Sequence, residues 1–140
     1  MAKITDAPAM ELFGGRARLV PHSVVKDQRG SLLPFHFSDL PFIPCRAFAV
    51  ADVPVGTLRG GHAHRSGMQL LYCLQGRVEV KIRVADGEEC LVLAPGIDGL
   101  LFGPGVWCQQ KYLDEGTVLL VLASEPYDPS SYVESWGDSV

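Results

Sequence analysis

The chain has 140 residues, 47% of them hydrophobic and 20% charged, and a formal net charge of −4. That length gives one domain with a core but not two, and the hydrophobic share excludes a disordered chain. No lysine–arginine block occurs, Met1–Asp6 holds no apolar signal core, and no segment approaches the ~18 apolar residues of a membrane span, so the expectation is a cytoplasmic protein without nucleic-acid or membrane partners.

In chain order, residues 1–10 read as a flexible tail and 11–140 as a single domain. Fifteen glycines and ten prolines, with no low-complexity run, imply frequent turns between short strands. Strands are expected near 16–20, 30–37, 45–53, 68–75, 77–84, 89–94, 98–102, 106–112 and 117–123. Turn signals fall at Asp27–Gly30, Pro54–Gly56, Gln75–Gly76, Ala85–Gly87 and Asp114–Gly116. Val78–Val84 alternates apolar and charged residues, which predicts a half-buried antiparallel strand with one wet face. Val118–Ala123 is apolar on both parities and should be buried on both sides. Only Pro129–Trp136 suggests a helix, with Asp128 as N-cap, Pro129 in the first position, and Tyr132 and Trp136 on one face. The pattern is that of an all-β chain, a small antiparallel barrel with a short C-terminal helix.

The four cysteines are widely spaced and form no Cys-x-x-Cys pair, which argues against a structural zinc site. Cys45, Cys73 and Cys90 are expected to be reduced and mostly buried. His22 and His36 lack chemical neighbours in sequence and read as solvent or core-edge residues, and Trp107 as a core or barrel-mouth aromatic.

The segment Arg59-Gly60-Gly61-His62-Ala63-His64-Arg65 carries the chemistry. Side chains alternate across a strand, so His62 and His64 should share a face, ~6–7 Å apart by strand rise. The glycines would let a ligand approach the backbone. Such a pair suits either a metal or a proton-shuffling reaction.

The spacing Gly56, His62, His64, Gln69, Gly76 resembles the first motif of the cupins, and Gly103-Pro104-Gly105-Val106-Trp107-Cys108 resembles the core of the second. Those families carry Glu where Gln69 stands and usually His where Cys108 stands. A neutral amide is a weak ligand, which disfavours a divalent cation here, although a His/His/Cys set is chemically possible for zinc or copper.

A narrower resemblance runs from about residue 18 to 136. Asp27-Gln28-Arg29-Gly30-Ser31-Leu32, Leu40-Pro41-Phe42, Cys45-Arg46-Ala47-Phe48, the Arg59–His64 segment, Cys73-Leu74-Gln75-Gly76 and Tyr127-Asp128 followed by Tyr132 are similar to the WxcM-like sugar-nucleotide 3,4-ketoisomerases. The resemblance implies a cupin, RmlC-like jelly-roll fold and an isomerase that moves the carbonyl of a dTDP-4-keto-6-deoxyglucose-like substrate from C4 to C3. It also implies no metal, no cofactor, and a homodimer that exchanges N-terminal strands.

It puts catalysis on His62 and His64, without saying which is the base, and substrate binding on Arg59, Gln69, Arg46 and Cys108. The chemistry agrees: a ketone shift needs proton transfer through an enediol, for which imidazole is suited, and a guanidinium suits a diphosphate or enediolate. Three positions depart from the family. Ala49 and Ala51 stand where aromatics, often Tyr, are usual after Arg46; Met68 replaces Glu; Cys108 replaces His. Each change removes a polar group that could face the barrel interior, which fits a different sugar-nucleotide substrate or a non-catalytic sugar-nucleotide-binding module; an epimerase and a metal-dependent cupin are the further alternatives. A thiol beside an imidazole can have a lowered pKa, which would make Cys108 a proton donor.

Overall fold

The computed structural model describes residues 11–133, which form thirteen short strands and three 3₁₀ turns. The strands are β1 Glu11–Leu12, β2 Ala17–Val20, β3 Val25–Asp27, β4 Gly30–Leu32, β5 Arg46–Val50, β6 Leu58–His64 and β7 Gln69–Gln75. They continue as β8 Val78–Val84, β9 Gly87–Leu93, β10 Gly99–Phe102, β11 Trp107–Tyr112, β12 Val118–Ala123 and β13 Tyr132–Val133. A six-stranded sheet in the order β1-β2-β10-β7-β12-β5 faces a five-stranded sheet in the order β13-β6-β11-β8-β9, and β3 and β4 pair separately. The pairings are antiparallel. The expected all-β jelly roll is the fold observed.

The sequence pattern explains the layering. On β8, Val78, Val80, Ile82 and Val84 are at most 2% exposed while Glu79, Lys81 and Arg83 face out. Burying a side chain of this size contributes about 1.5–3 kcal/mol, so this strand anchors the five-stranded sheet. The inward parity of the other sheet, Leu71 and Cys73 on β7 and Leu119 and Val121 on β12, meets it in one core. The opposite parity (Leu70, Tyr72, Leu122) is buried as well, against Phe35, Leu40 and Phe42. This second layer is why Val118–Ala123 lacks a polar parity.

Some expectations are corrected. The strand over 30–37 stops at Leu32, because Pro34 has no N–H for a ladder; the chain continues as coil into a 3₁₀ turn at Phe37–Asp39. Instead of a helix, Pro129–Ser131 makes one 3₁₀ turn, with the Asp128 carboxylate accepting from the Ser130 amide as the capping pattern implies. Tyr132 then leaves in an extended conformation because β13 pairs with β6. Trp136 and the tail over 1–10 lie outside the described residues. The thiols are free, but Cys45 and Cys90 are exposed while Cys73 and Cys108 are buried. Cys90 sits opposite Lys81, on the outward parity of β9. No helix among the described residues is long and apolar enough to cross a membrane.

Candidate active site

The site is built on β6, between β11 and β13. Gly60 and Gly61 have φ of 78° and 83°, a left-handed conformation that favours glycine. The register with β11 slips there: Cys108 pairs with His62 but Gln109 with Gly60, so Gly61 is the extra residue of a bulge. A Cβ on Gly60 would lie 2.8 Å from Gln110 Oε1 and 3.0 Å from the Cys108 carbonyl oxygen. The two glycines therefore form the bend ahead of the histidines, and Gly60 also lines the neighbouring cavity.

Beyond the bulge, the rings of His62 and His64 stand 5.2 Å apart at 75°. Backbone bonds hold the strand end: Gly105 N–H donates to the His64 carbonyl (2.9 Å) and Arg65 N–H to the Ser131 carbonyl (2.8 Å). Tyr132, opposite His64 in the register, stacks on His62 at 4.4 Å and meets His64 edge-on at 4.6 Å.

A cavity of about 390 Å³ opens between the sheets beside these rings. His62, Arg46, Arg59, Gln69, Gln110 and Tyr132 give it polar groups, and Phe48, Val50, Leu71, Leu119 and Val121 an apolar floor. Its size is that of a small-ligand pocket. The Arg46 guanidinium lies 4.5 Å above the Phe48 ring and 5.1 Å from that of Tyr127, which restricts it while leaving its N–H fork for a ligand. His64 borders a second, smaller cavity together with Arg46, Gln69, Glu125, Ser131 and Tyr132.

Burial lowers the His64 pKa to about 4, helped by His62 and Arg46 and opposed by Glu125, so this imidazole is neutral at pH 7. Cys108 behaves in the opposite way to an activated thiol. It is 3% exposed, receives a hydrogen bond from Gln110 Nε2 (3.1 Å), and burial pushes its thiol up to about 12. A protonated thiol is neither a thiolate ligand nor a ready acid at neutral pH. Among the described residues, no three His, Cys, Asp or Glu side chains are grouped to hold a metal ion.

Thus the fold brings Arg46, Arg59, Gln69 and His62 to one cavity, with His64 against His62. It leaves Cys108 in the core behind them. Ala49 borders the cavity and Ala51 stands exposed past the end of β5. Trp107 packs at the surface under Arg83, whose guanidinium carbon is 4.9 Å from its ring. His22 serves packing, stacked on Phe35 at 4.4 Å with Nε2 3.1 Å from the Pro34 carbonyl, while His36 is exposed. Sequence reasoning missed Tyr132 and Gln110 as site residues. The Tyr127-Asp128-x-x-x-Tyr132 spacing was the available signal for the first; nothing marked the second.

The chain is similar to known proteins over most of its length. The chain is 30% identical over 123 residues to the TDP-4-oxo-6-deoxy-alpha-D-glucose-3,4-oxoisomerase of Aneurinibacillus thermoaerophilus, covering 85% of this chain and 86% of that one. Its structure is similar to the QdtA 3,4-ketoisomerase of Thermoanaerobacterium thermosaccharolyticum. For a double mutant in complex with TDP the TM-score is 0.82 at 35% identity, over 89% of this chain and 90% of the other. For a His→Asn mutant in complex with TDP-4-keto-6-deoxyglucose it is 0.82 at 33%, over the same shares of 89% and 90%. The family model described as FdtA, WxcM-like, C-terminal, matches residues 16–138, and the chain belongs to that family.

Proposed function

We propose that this protein is a 3,4-ketoisomerase of a nucleotide-linked 4-keto-6-deoxy sugar, with dTDP-4-keto-6-deoxyglucose as the type substrate. The observation that carries the reading is the imidazole pair, 5.2 Å between rings, beside a cavity that also presents Arg46 and Arg59.

The reaction moves two protons. One leaves C3 as its electrons form the C3–C4 double bond of an enediolate, and a proton is delivered to C4. The O3 hydroxyl loses its proton as C3 becomes the carbonyl, and O4 gains one. His64, held neutral, accepts the carbon proton; once charged beside His62 and Arg46 it is a strong acid and returns a proton to C4. His62, on the cavity wall, serves the two oxygens. Arg59 and Arg46 take the diphosphate, where a fixed guanidinium fork makes charge-assisted bonds, and Gln69 takes a sugar hydroxyl. Cys108 has no part in this scheme. No step requires a metal or a cofactor.

The reading extends to a cytoplasmic homodimer in which residues 11–140 are one domain. Free cysteines fit a reducing compartment, and the separate β3–β4 hairpin fits strand exchange.

Proton NMR of dTDP-4-keto-6-deoxyglucose in deuterated water, with EDTA-treated protein, tests the reading. The expected result is a 3-keto isomer with deuterium at carbon, lost in His64→Ala and His62→Ala. Exchange without isomerisation indicates an epimerase, and an unchanged spectrum would leave a protein that binds without turnover.

A further inference from the structure

The smaller cavity behind His64 is the part of the site that the scheme above leaves unused. Its volume is about 20 Å³. A cavity accepts one water when it offers about 10–15 Å³ to a water-sized sphere and two or more polar partners. Two partners are already placed. Nε2 of His64 and Oγ of Ser131 are both buried, their residues both line this cavity, and neither atom has a hydrogen-bond partner among the described residues. They are not bonded to each other, so a bridge between them requires a third atom.

Burying such groups without a partner is costly, and native structures rarely leave them so. Ser131 cannot drift away. Its carbonyl accepts from the Arg65 amide at 2.8 Å and its own amide donates to the Asp128 carbonyl at 3.0 Å, which ties it to the strand end that carries His64. Glu125 and Asp128 also line the cavity, against one cation, Arg46. A proton on Nε2 is favoured by that acidic side.

We propose that Ser131 is a positioning residue: through one bound water it tethers Nε2–H of His64, fixing the ring in a single tautomer with its Nδ1 lone pair bare. As a statement about catalysis this rests on the ketoisomerase reading. The tether makes Nδ1 the atom that accepts the carbon proton, and it turns the ring's orientation into a property of the 3₁₀ turn at Pro129–Ser131. The other groups facing the ring are His62 on its own strand, Tyr132 on β13 and Arg46 on β5.

The test is a two-bond proton–nitrogen NMR correlation of the histidine side chains in the whole protein, without substrate, for wild type, Ser131→Ala and Ser131→Thr. Wild type is expected to show His64 as the Nε2–H tautomer alone. S131A is expected to show a mixture, and S131T, which keeps the hydroxyl, to restore the single form. A parallel assay of deuterium entry into the sugar is expected to slow about tenfold in S131A, the loss of roughly one hydrogen bond, with KM unchanged. Identical His64 spectra in wild type and S131A, in folded proteins of equal melting temperature, would overturn the tether. A tautomer change in a protein that turns over no 4-keto sugar would uphold the tether while sinking the isomerase reading, so the two failures are distinct.

Discussion

Tyr132 lies flat on His62, with ring centroids 4.4 Å apart and 18° between planes, while His64 meets the same tyrosine edge-on at 71°. One aromatic thus fixes both imidazoles, and it also borders both cavities. Among the described residues β13, which bears it, pairs only with the histidine strand, Tyr132 opposite His64 and Val133 opposite Ala63. Packing of β13 and placement of the two histidines are one event.

Replacing Tyr132 separates the ring from its hydroxyl. An aromatic pair is worth about 0.5–1.5 kcal/mol beyond its buried area, or roughly three- to tenfold in the population of a held rotamer. Tyr132→Phe is expected to keep turnover near wild type. Tyr132→Ala is expected to lower kcat about tenfold or more, since both rings gain freedom. Equal losses in the two variants, measured by the NMR turnover assay, would assign the effect to the hydroxyl instead.

The depressed pKa of His64 has two consequences with a common sign. The folded value of about 4 lies below the ordinary 6.5, so the unfolded chain binds the proton more readily between those values. Stability from this group is complete above pH 6.5 and is lost as pH falls toward 4. Urea unfolding of wild type and His64→Gln should show a flatter pH dependence in the variant across that window. The kcat/KM of wild type should hold well below pH 6.5 as far as His64 is concerned. An acid limb of His64 near its ordinary value, followed by NMR titration, would contradict the burial argument.

The barrel was legible because its signals are strong ones. Alternation on Val78–Val84 and the two-sided apolar run at Val118–Ala123 reflect burial directly, and both strands formed where expected. The strand Leu58–His64 was not delimited as an element, because Arg59, Gly60 and Gly61 carry no hydrophobic period; the bulge that forms it depends on φ above zero and on pairing with β11. Tyr132 was expected on a helix because Asp128-Pro129 is a helix start, and that start is real. It propagates for one turn because the pairing with His64 and Ala63 offers more than three residues of helix can. The site shows the same division. His62, Arg46, Arg59 and Gln69, singled out through the family resemblance, line one cavity, whereas the Cys108 thiol is held by burial in a state no neighbour in sequence reveals.

Arg59 borders the cavity and is exposed. Lysine at that position keeps the charge but loses the fork that bonds two phosphate oxygens together. Arg59→Lys should raise KM for the nucleotide sugar by roughly ten- to a hundredfold, the value of a hydrogen bond to a charged group, with a smaller change in kcat. A fall confined to kcat would move Arg59 from the diphosphate to the enediolate.

The four thiols separate into two classes. Cys45 and Cys90 are exposed; Cys73 and Cys108 are buried with pKa values pushed up to about 11 and about 12. A disulfide reagent on the native protein should therefore label two thiols quickly and the others only on unfolding. Cys108→Ser should leave turnover near wild type. Loss of activity in a folded C108S would restore the thiol as a proton donor.

The hairpin β3–β4 bears on assembly. Val25 and Leu32 are paired across it, and they are 53% and 62% exposed. A two-stranded hairpin alone is marginal in water, and these side chains gain only by packing on something else. Ile43 at 82% and Phe37 at 52% exposed add to the apolar surface of this part of the chain. A second copy that exchanges its N-terminal strands would pair the hairpin and cover these residues, closing a sheet edge that β5 otherwise leaves open. Sedimentation equilibrium should give twice the chain mass at micromolar concentration. Leu32→Asp, which charges the hairpin without touching the cavity, should shift the protein toward monomer and lower its melting temperature. A wild-type monomer at these concentrations would refute strand exchange while leaving the proposed chemistry of the site untouched, because both histidines and both arginines come from one chain.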